Sequence, residues 1–243
     1  KKKNIKCNFF YEKNRPTTNK NLFMSSSYRL LKVDTLSNLP IGEDTLEKIS
    51  KVIKKDKSKI TIFSDFRHGI FNTGSINKLV GSIPNGTLKV ADSQVASRWG
   101  NITQFKNFDL ITPNEKEARF SLADQDSTVG KLAGRLLEKT KYKNLILKLG
   151  EKGIFCNTKT RKKYQPFSVG VFSNNVVDAV GSGDALLAYS SLALKATNSL
   201  IISGILGSFA AACACETEGN NPISKEMIIE KILQVKKKIN LLI

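Results

Sequence analysis

The stretch Val176-Val177-Asp178-Ala179-Val180-Gly181-Ser182-Gly183-Asp184-Ala185-Leu186 sets a Gly-Ser-Gly-Asp turn between an apolar segment that reads as a strand and a long helix of small residues. Glycines at 181 and 183 remove side chains that would keep a ligand away from the backbone. The helix start presents unpaired N–H groups and the positive end of its dipole. Gly181, Ser182 and Gly183 therefore form a candidate anion hole. Asp184, in the first helical turn, is placed to accept a proton from an alcohol while neighbouring N–H groups meet charge on a transferring phosphoryl group. An aspartate near a helix start is also favoured simply as a cap, and the turn alone does not choose between the two roles.

Outward from this turn, helical and strand periods alternate. Leu46, Ile49, Val52 and Ile53 share a helical face; Ile60–Phe63 and Leu88–Ala91 read as strands, with a helix from about Ser75 between them. The strand Phe108–Ile111, a helix over 128–140 and the strands Leu145–Leu149 and Gly153–Cys156 follow. The last third is helical, over 183–196, 200–215 and 224–235. This alternation predicts parallel βαβ units with helices on both sheet faces and ligands at the carboxyl ends of the strands, near Asp65, Asp92, Asn114, Gly150 and Asp178. Residues 1–35 read as an extended, hairpin-like appendage and 36–243 as the α/β core.

The 243 residues, 40% hydrophobic, suffice for one large α/β domain. The four cysteines have neither zinc-site spacing nor the density of a disulfide framework, which fits a reducing cytoplasm. No apolar run approaches the roughly 20 residues of a membrane span, and no membrane partner is expected. The net charge of +18 favours anionic ligands. Its lysines are scattered or in short clusters without interleaved aromatics, so no specific nucleic-acid surface is expected. There is neither a P-loop nor a GxGxxG turn after a first strand.

Asp178-Ala179-Val180-Gly181-Ser182-Gly183-Asp184 resembles the DTxGAGD signature of the ribokinase-like carbohydrate kinases, with Ala179 and Ser182 as departures. Asn114-Glu115-Lys116-Glu117 is similar to that family's NxxE pattern, Lys148-Leu149-Gly150-Glu151-Lys152-Gly153 to its nucleotide-side strand and turn, and Gly207–Ala211 with Gly219 to its adenine-side helix and loop. The resemblance implies a three-layer α/β/α fold with a mainly parallel central sheet and a small β lid. It implies a kinase using ATP and Mg²⁺, with a monovalent cation such as K⁺ as a further cofactor, and Asp184 as base. Asn114, Glu117, Lys148, Gly150, Gly153, Ser208 and Gly219 would then serve the nucleotide, and Glu117 and Asp178 the metal. A capping box accounts for Asn114-x-x-Glu117 without any metal, a solvated strand-end lysine for Lys148 and a helix-packing residue for Ser208.

A narrower resemblance, over residues 15–20 and 29–34, is to the lid of heptose-phosphate kinases, and Ser64-Asp65-Phe66-Arg67-His68-Gly69 occupies the place of an Asp-aromatic-x-basic-Gly stretch in those enzymes. It implies a sugar-phosphate acceptor contacted by Arg15, Lys20, Asp65 and Arg67; a basic exposed hairpin is the plainer account. The open edges of the extended lid strands separately predict a homodimer through residues 10–35. His68, the only histidine, reads as structural, and Trp99 as either a sugar-stacking wall or core. Family members carry further N-terminal strands before the lid, so the fold is expected to be N-terminally incomplete. A catalytically weak nucleotide-binding relative, or a basic nucleic-acid-binding protein, are the alternatives to an active kinase.

Overall fold

The computed structural model describes residues 5–26, 28–94, 102–158 and 166–240. Trp99, the clusters Lys1–Lys3 and Arg161–Lys163, and the polar hairpin expected near 159–163 lie outside them. The chain divides into two compact units, one of Lys1–Lys57 with Asp65–Asn85, the other of Ser58–Ser64 with Gly86–Ile243.

In the first unit, β1 (Asn19–Ser25) and β2 (Tyr28–Thr35) form an antiparallel hairpin with an irregularity between Phe23 and Met24. Leu22, Phe23, Met24, Leu30 and Leu31 on it are exposed. The division differs from the expected boundary at residue 35: the hairpin groups with α1 (Glu43–Lys55) and α2 (Thr73–Gly81). The cause lies in the preceding loop. Arg15 donates to the carbonyls of Ser37, Leu39, Pro40 and His68, and the Ile41 N–H donates to the Gly69 carbonyl. α1 follows its dipole, with Glu43 and Asp44 in the first turn and Lys54 and Lys55 in the last. Ion pairs from Lys78 to Glu43 and Glu47 join it to α2.

The second unit holds a six-stranded sheet in the order β3 (Ile60–Asp65), β4 (Leu88–Ser93), β5 (Leu110–Ile111), β6 (Asn144–Lys148), β7 (Ile154–Thr158) and β8 (Phe167–Val169). β4, β5 and β6 are parallel; at one edge β7 runs antiparallel to β6, and β8, antiparallel to β7, returns to the direction of the others. α3 (Glu115–Leu122) and α4 (Val129–Thr140) connect β5 to β6. α4 has its register set by the buried stripe Leu132, Ala133, Leu136 and Thr140 and its start capped by Thr128.

On one sheet face Val90, Leu110, Ile146, Ile154 and Cys156 pack against Leu186, Leu187 and Leu194 of α5 (Ser182–Thr197) and Leu200 of α6 (Leu200–Cys215). Strand alternation sends the equally buried Leu145 and Leu147 to the opposite face. α5 and α6 approach closely because the residues between them are small. A Cβ on Gly207 would lie 2.0 Å from Ser190 Oγ, and Ser190 and Ser203 exchange hydroxyl-to-carbonyl hydrogen bonds of 3.1 and 2.8 Å. α7 (Lys225–Asn240) follows, with Ile228 packed against Phe209, Ala210 and Cys213. Among the described residues, no helix is long and apolar enough to cross a membrane.

Candidate active site

The carboxyl ends of β4, β5 and β6 bring Asp92, Thr112, Asn114 and Lys148 together. Asn114 pairs in parallel with Lys148 just beyond the regular strands, and the Lys148 N–H donates to the Pro113 carbonyl at 2.9 Å. Asn114 caps α3. Its Oδ1 accepts the Glu117 N–H at 2.8 Å and Glu117 Oε2 accepts the Asn114 N–H at 2.7 Å, so the expected capping box is formed, with Glu117 buried. The Lys148 ammonium lies 3.1 Å from both carboxylate oxygens of Asp92, and the Thr112 hydroxyl donates to Asp92 Oδ1 at 3.1 Å.

The glycine-rich turn stands next to this group. Gly181 has φ +81°, and a Cβ there would come within 2.3 Å of Asn220 Oδ1, so a side chain would meet both a disfavoured backbone and the Asn220 amide. Helix α5 starts at Ser182, whose hydroxyl donates to the Ala179 carbonyl at 2.8 Å. Its N-cap, Gly181, has no side chain with which to cap. Asp184 is exposed at the third helical position. A Cβ on Gly183 would sit 3.5 Å from Lys148 Nζ, which puts the ammonium directly beside the start of α5.

The strand expected at Val176-Val177 is not formed. The Val177 and Asp178 N–H groups both donate to the Cys215 carbonyl at the end of α6, and that attachment replaces strand pairing. Asp178 braces two loops: Oδ1 accepts the Val180 N–H at 3.0 Å and Oδ2 the Gly219 N–H at 3.2 Å.

The expected metal residues are thus engaged with backbone amides: Glu117 holds that of Asn114 in its own turn, and Asp178 those of Val180 nearby and Gly219 in a distant loop. Among the described residues no group of three or more His, Cys, Asp or Glu side chains could hold a metal ion. This donor set fits magnesium only as a hydrated ion carried on phosphate oxygens, a mode it favours. The helix start with its glycines and adjacent lysine fits a polyphosphate.

Gly150 (φ +62°) and Gly153 (φ +80°) shape the turn from β6 to β7, where a Cβ on Gly153 would strike the Val169 carbonyl at 2.0 Å. Ser208 is buried in α6, its hydroxyl without a hydrogen-bond partner.

Arg15, Lys20, Asp65 and Arg67 all belong to the first unit. Arg15 cannot offer the free fork expected of it. Nε donates to Glu12 at 2.7 Å and the two terminal nitrogens to four carbonyls, which occupies all five of its N–H donors. Lys20 Nζ lies 5.7 Å above the Phe66 ring. Arg67 is left-handed at φ +62°, paired through one terminal nitrogen with the buried Asp65 at 3.0 Å, and its Nε is buried without a partner. A left-handed backbone and an unmet buried donor thus coincide on this one arginine. His68 Nδ1 lies 3.2 Å from the Thr18 hydroxyl, and burial, then the nearby Lys20, lowers its pKa. Sequence reasoning placed Asp92 and Thr112 at informative strand ends without giving either a role, and it missed Asn220.

The family model for pfkB family carbohydrate kinase matches residues 87–226. The bifunctional protein HldE of Pelobacter propionicus is 21% identical over 229 residues, covering 92% of this chain and 46% of its own length. HldE of Aliarcobacter butzleri is 27% identical over 195 residues, covering 77% and 39%. The chain spans about half the length, or less, of these relatives. Among solved structures, phosphofructokinase-2 from Escherichia coli in complex with potassium aligns with a TM-score of 0.69 at 18% identity, over 86% of this chain and 66% of that one. Arabidopsis thaliana ribokinase complexed with ribose and ATP aligns at 0.67 and 16%, over 90% and 70%. The fold is therefore ribokinase-like, as the signature implied. With the family model matching more than half of its residues, the chain belongs to the pfkB family of carbohydrate kinases.

Proposed function

We propose that this chain carries the nucleotide site and catalytic base of an ATP-dependent kinase that phosphorylates a sugar or sugar-phosphate hydroxyl. The observation that carries the reading is the start of α5: a glycine turn open to the backbone, an exposed Asp184 in the first turn, and the Lys148 ammonium alongside Gly183.

Asp184 accepts the acceptor's proton as its oxygen attacks the terminal phosphoryl group. The first-turn amides of α5, which have no partners within the helix, meet the charge on the phosphoryl oxygens. Lys148 adds a positive charge at the same place. Bound Mg²⁺ supplies charge neutralisation on the phosphates; Asn114 and Glu117 would meet it through water. K⁺ enters this reading through the potassium complex of the phosphofructokinase-2 neighbour.

The acceptor we assign is a heptose 7-phosphate, on the lid-like stretches and on the strained, incompletely paired Arg67. The exposed hairpin supports a homodimer formed through residues 10–35, and the reading places the protein in the cytoplasm. The test is ADP release from MgATP over a panel of heptose 7-phosphate, ribose, fructose and adenosine. The phosphorylated heptose should give the highest kcat/KM. Equal or better turnover of an uncharged sugar would assign the acceptor elsewhere, and absence of both ATP binding and ADP release would end the kinase reading.

A further inference from the structure

The ion pair between Lys148 and Asp92 lies across the carboxyl edge of the sheet. Asp92 is the last but one residue of β4 and Lys148 the last of β6, on either side of β5, so their backbones are about two strand spacings, roughly 9.5 Å, apart. Lys148 reaches over the end of β5, where Thr112 is fully buried and donates to the same carboxylate. Asp92 is 3% exposed and the Lys148 side chain 17%. A pair taken so far out of water gains little stability over apolar residues of the same size, because desolvating both charges offsets their attraction. What the arrangement does achieve is position. A lysine at a strand end would otherwise sample many rotamers in solvent. Here its Nζ is held 3.1 Å from two oxygens and next to Gly183, one residue before the exposed Asp184.

The geometry points to Asp92, seconded by Thr112, as the positioning residue that fixes the Lys148 ammonium on the terminal phosphoryl group of the nucleotide. This rests on the kinase reading and deepens it. An ammonium carries three N–H donors, and one carboxylate does not exhaust them, so Lys148 keeps a donor for a phosphoryl oxygen while paired. The phosphoryl group in transfer must lie between the base and the rest of the nucleotide. A cation beside the residue preceding the base meets that group rather than the inner phosphates. Lys148 therefore separates ATP from ADP, and Asp92 acts only through it.

The experiment is isothermal titration of MgATP and MgADP into the full chain and its Lys148→Met, Asp92→Asn, Thr112→Val and Asp92→Asn/Lys148→Met variants. Lys148→Met and Asp92→Asn should each weaken ATP about 10–100-fold, the value of a hydrogen bond to a charged group, and ADP by less than about threefold. Thr112→Val should weaken ATP by a smaller factor in the same direction. The double variant should bind ATP no more weakly than Lys148→Met alone, since two residues in one device are not additive. Should Asp92→Asn strand the lysine and unfold, the double variant and Thr112→Val carry the same comparison. Equal losses of ATP and ADP, or additive losses in the double variant, would overturn the positioning role and leave the kinase reading standing. A wild-type chain that binds neither nucleotide removes both.

Discussion

Asp184 is the residue on which the proposed chemistry turns, and the two roles open to it make opposite forecasts. Asparagine keeps its size and caps a helix as well as aspartate does, but it cannot take a proton. As general base, Asp184→Asn should lower kcat by about 10²–10⁴-fold with ATP affinity nearly unchanged, read by steady-state kinetics and titration. A capping role forecasts normal turnover. Arg15 gives a second test at this scale. Its guanidinium joins the loop at 37–40 to His68, so Arg15→Lys, which keeps the charge but not the fork, should lower the melting temperature while leaving the acceptor KM unchanged. The two residues also differ in legibility. The glycine turn that starts α5 was readable because its parts are contiguous. Arg15 was not, because its partners are main-chain carbonyls 22 to 53 residues away, and carbonyls carry no sequence signature.

The helices and turns give predictions of stability. Gly207→Ala drives a methyl group into Ser190 Oγ between α5 and α6, and overpacking of this kind costs about 1–3 kcal/mol, measurable by urea unfolding. The connection from α3 to α4 is held by buried Asp124, which accepts the Ser127 N–H at 3.0 Å and pairs with Arg135. The Ser127 amide, opposed by burial and helped by the Ser127 hydroxyl and Arg135, lowers the Asp124 pKa to about 2. A pKa lowered on folding adds stability above the unfolded value, near pH 4, that is lost as pH falls toward 2. Asp124→Asn should therefore melt lower than the wild type at neutral pH, with the gap closing between about pH 4 and pH 2. Most elements were legible because buried stripes and caps are local. Val176-Val177 was misread as a strand because two β-branched residues carry that propensity, and the Cys215 carbonyl overrides it. The three-residue β8 was too short to leave a periodic signal.

For the whole molecule, an isolated two-stranded hairpin is marginal in water and its open edges invite pairing. With Leu22, Phe23 and Leu31 exposed on it, light scattering at tens of micromolar should report a dimer, and Phe23→Lys should shift it to monomer; a monomeric wild type would refute the assembly. The α/β class was legible in the alternation of periods, whereas the grouping of the hairpin with α1 and α2 was not, since it depends on contacts that bypass the intervening strand. That strand has a consequence for dissection. The chain passes between its two compact units at Lys57, Ser64 and Asn85, so Ser58–Ser64, which holds all of β3 but Asp65, is a short excursion of seven residues into the larger unit. Scission of any one peptide bond therefore cannot release an intact unit. A piece beginning at Gly86 would also lose β3 and bare the flank of β4. The larger unit therefore keeps its full sheet only in a piece that also retains the residues before Gly86.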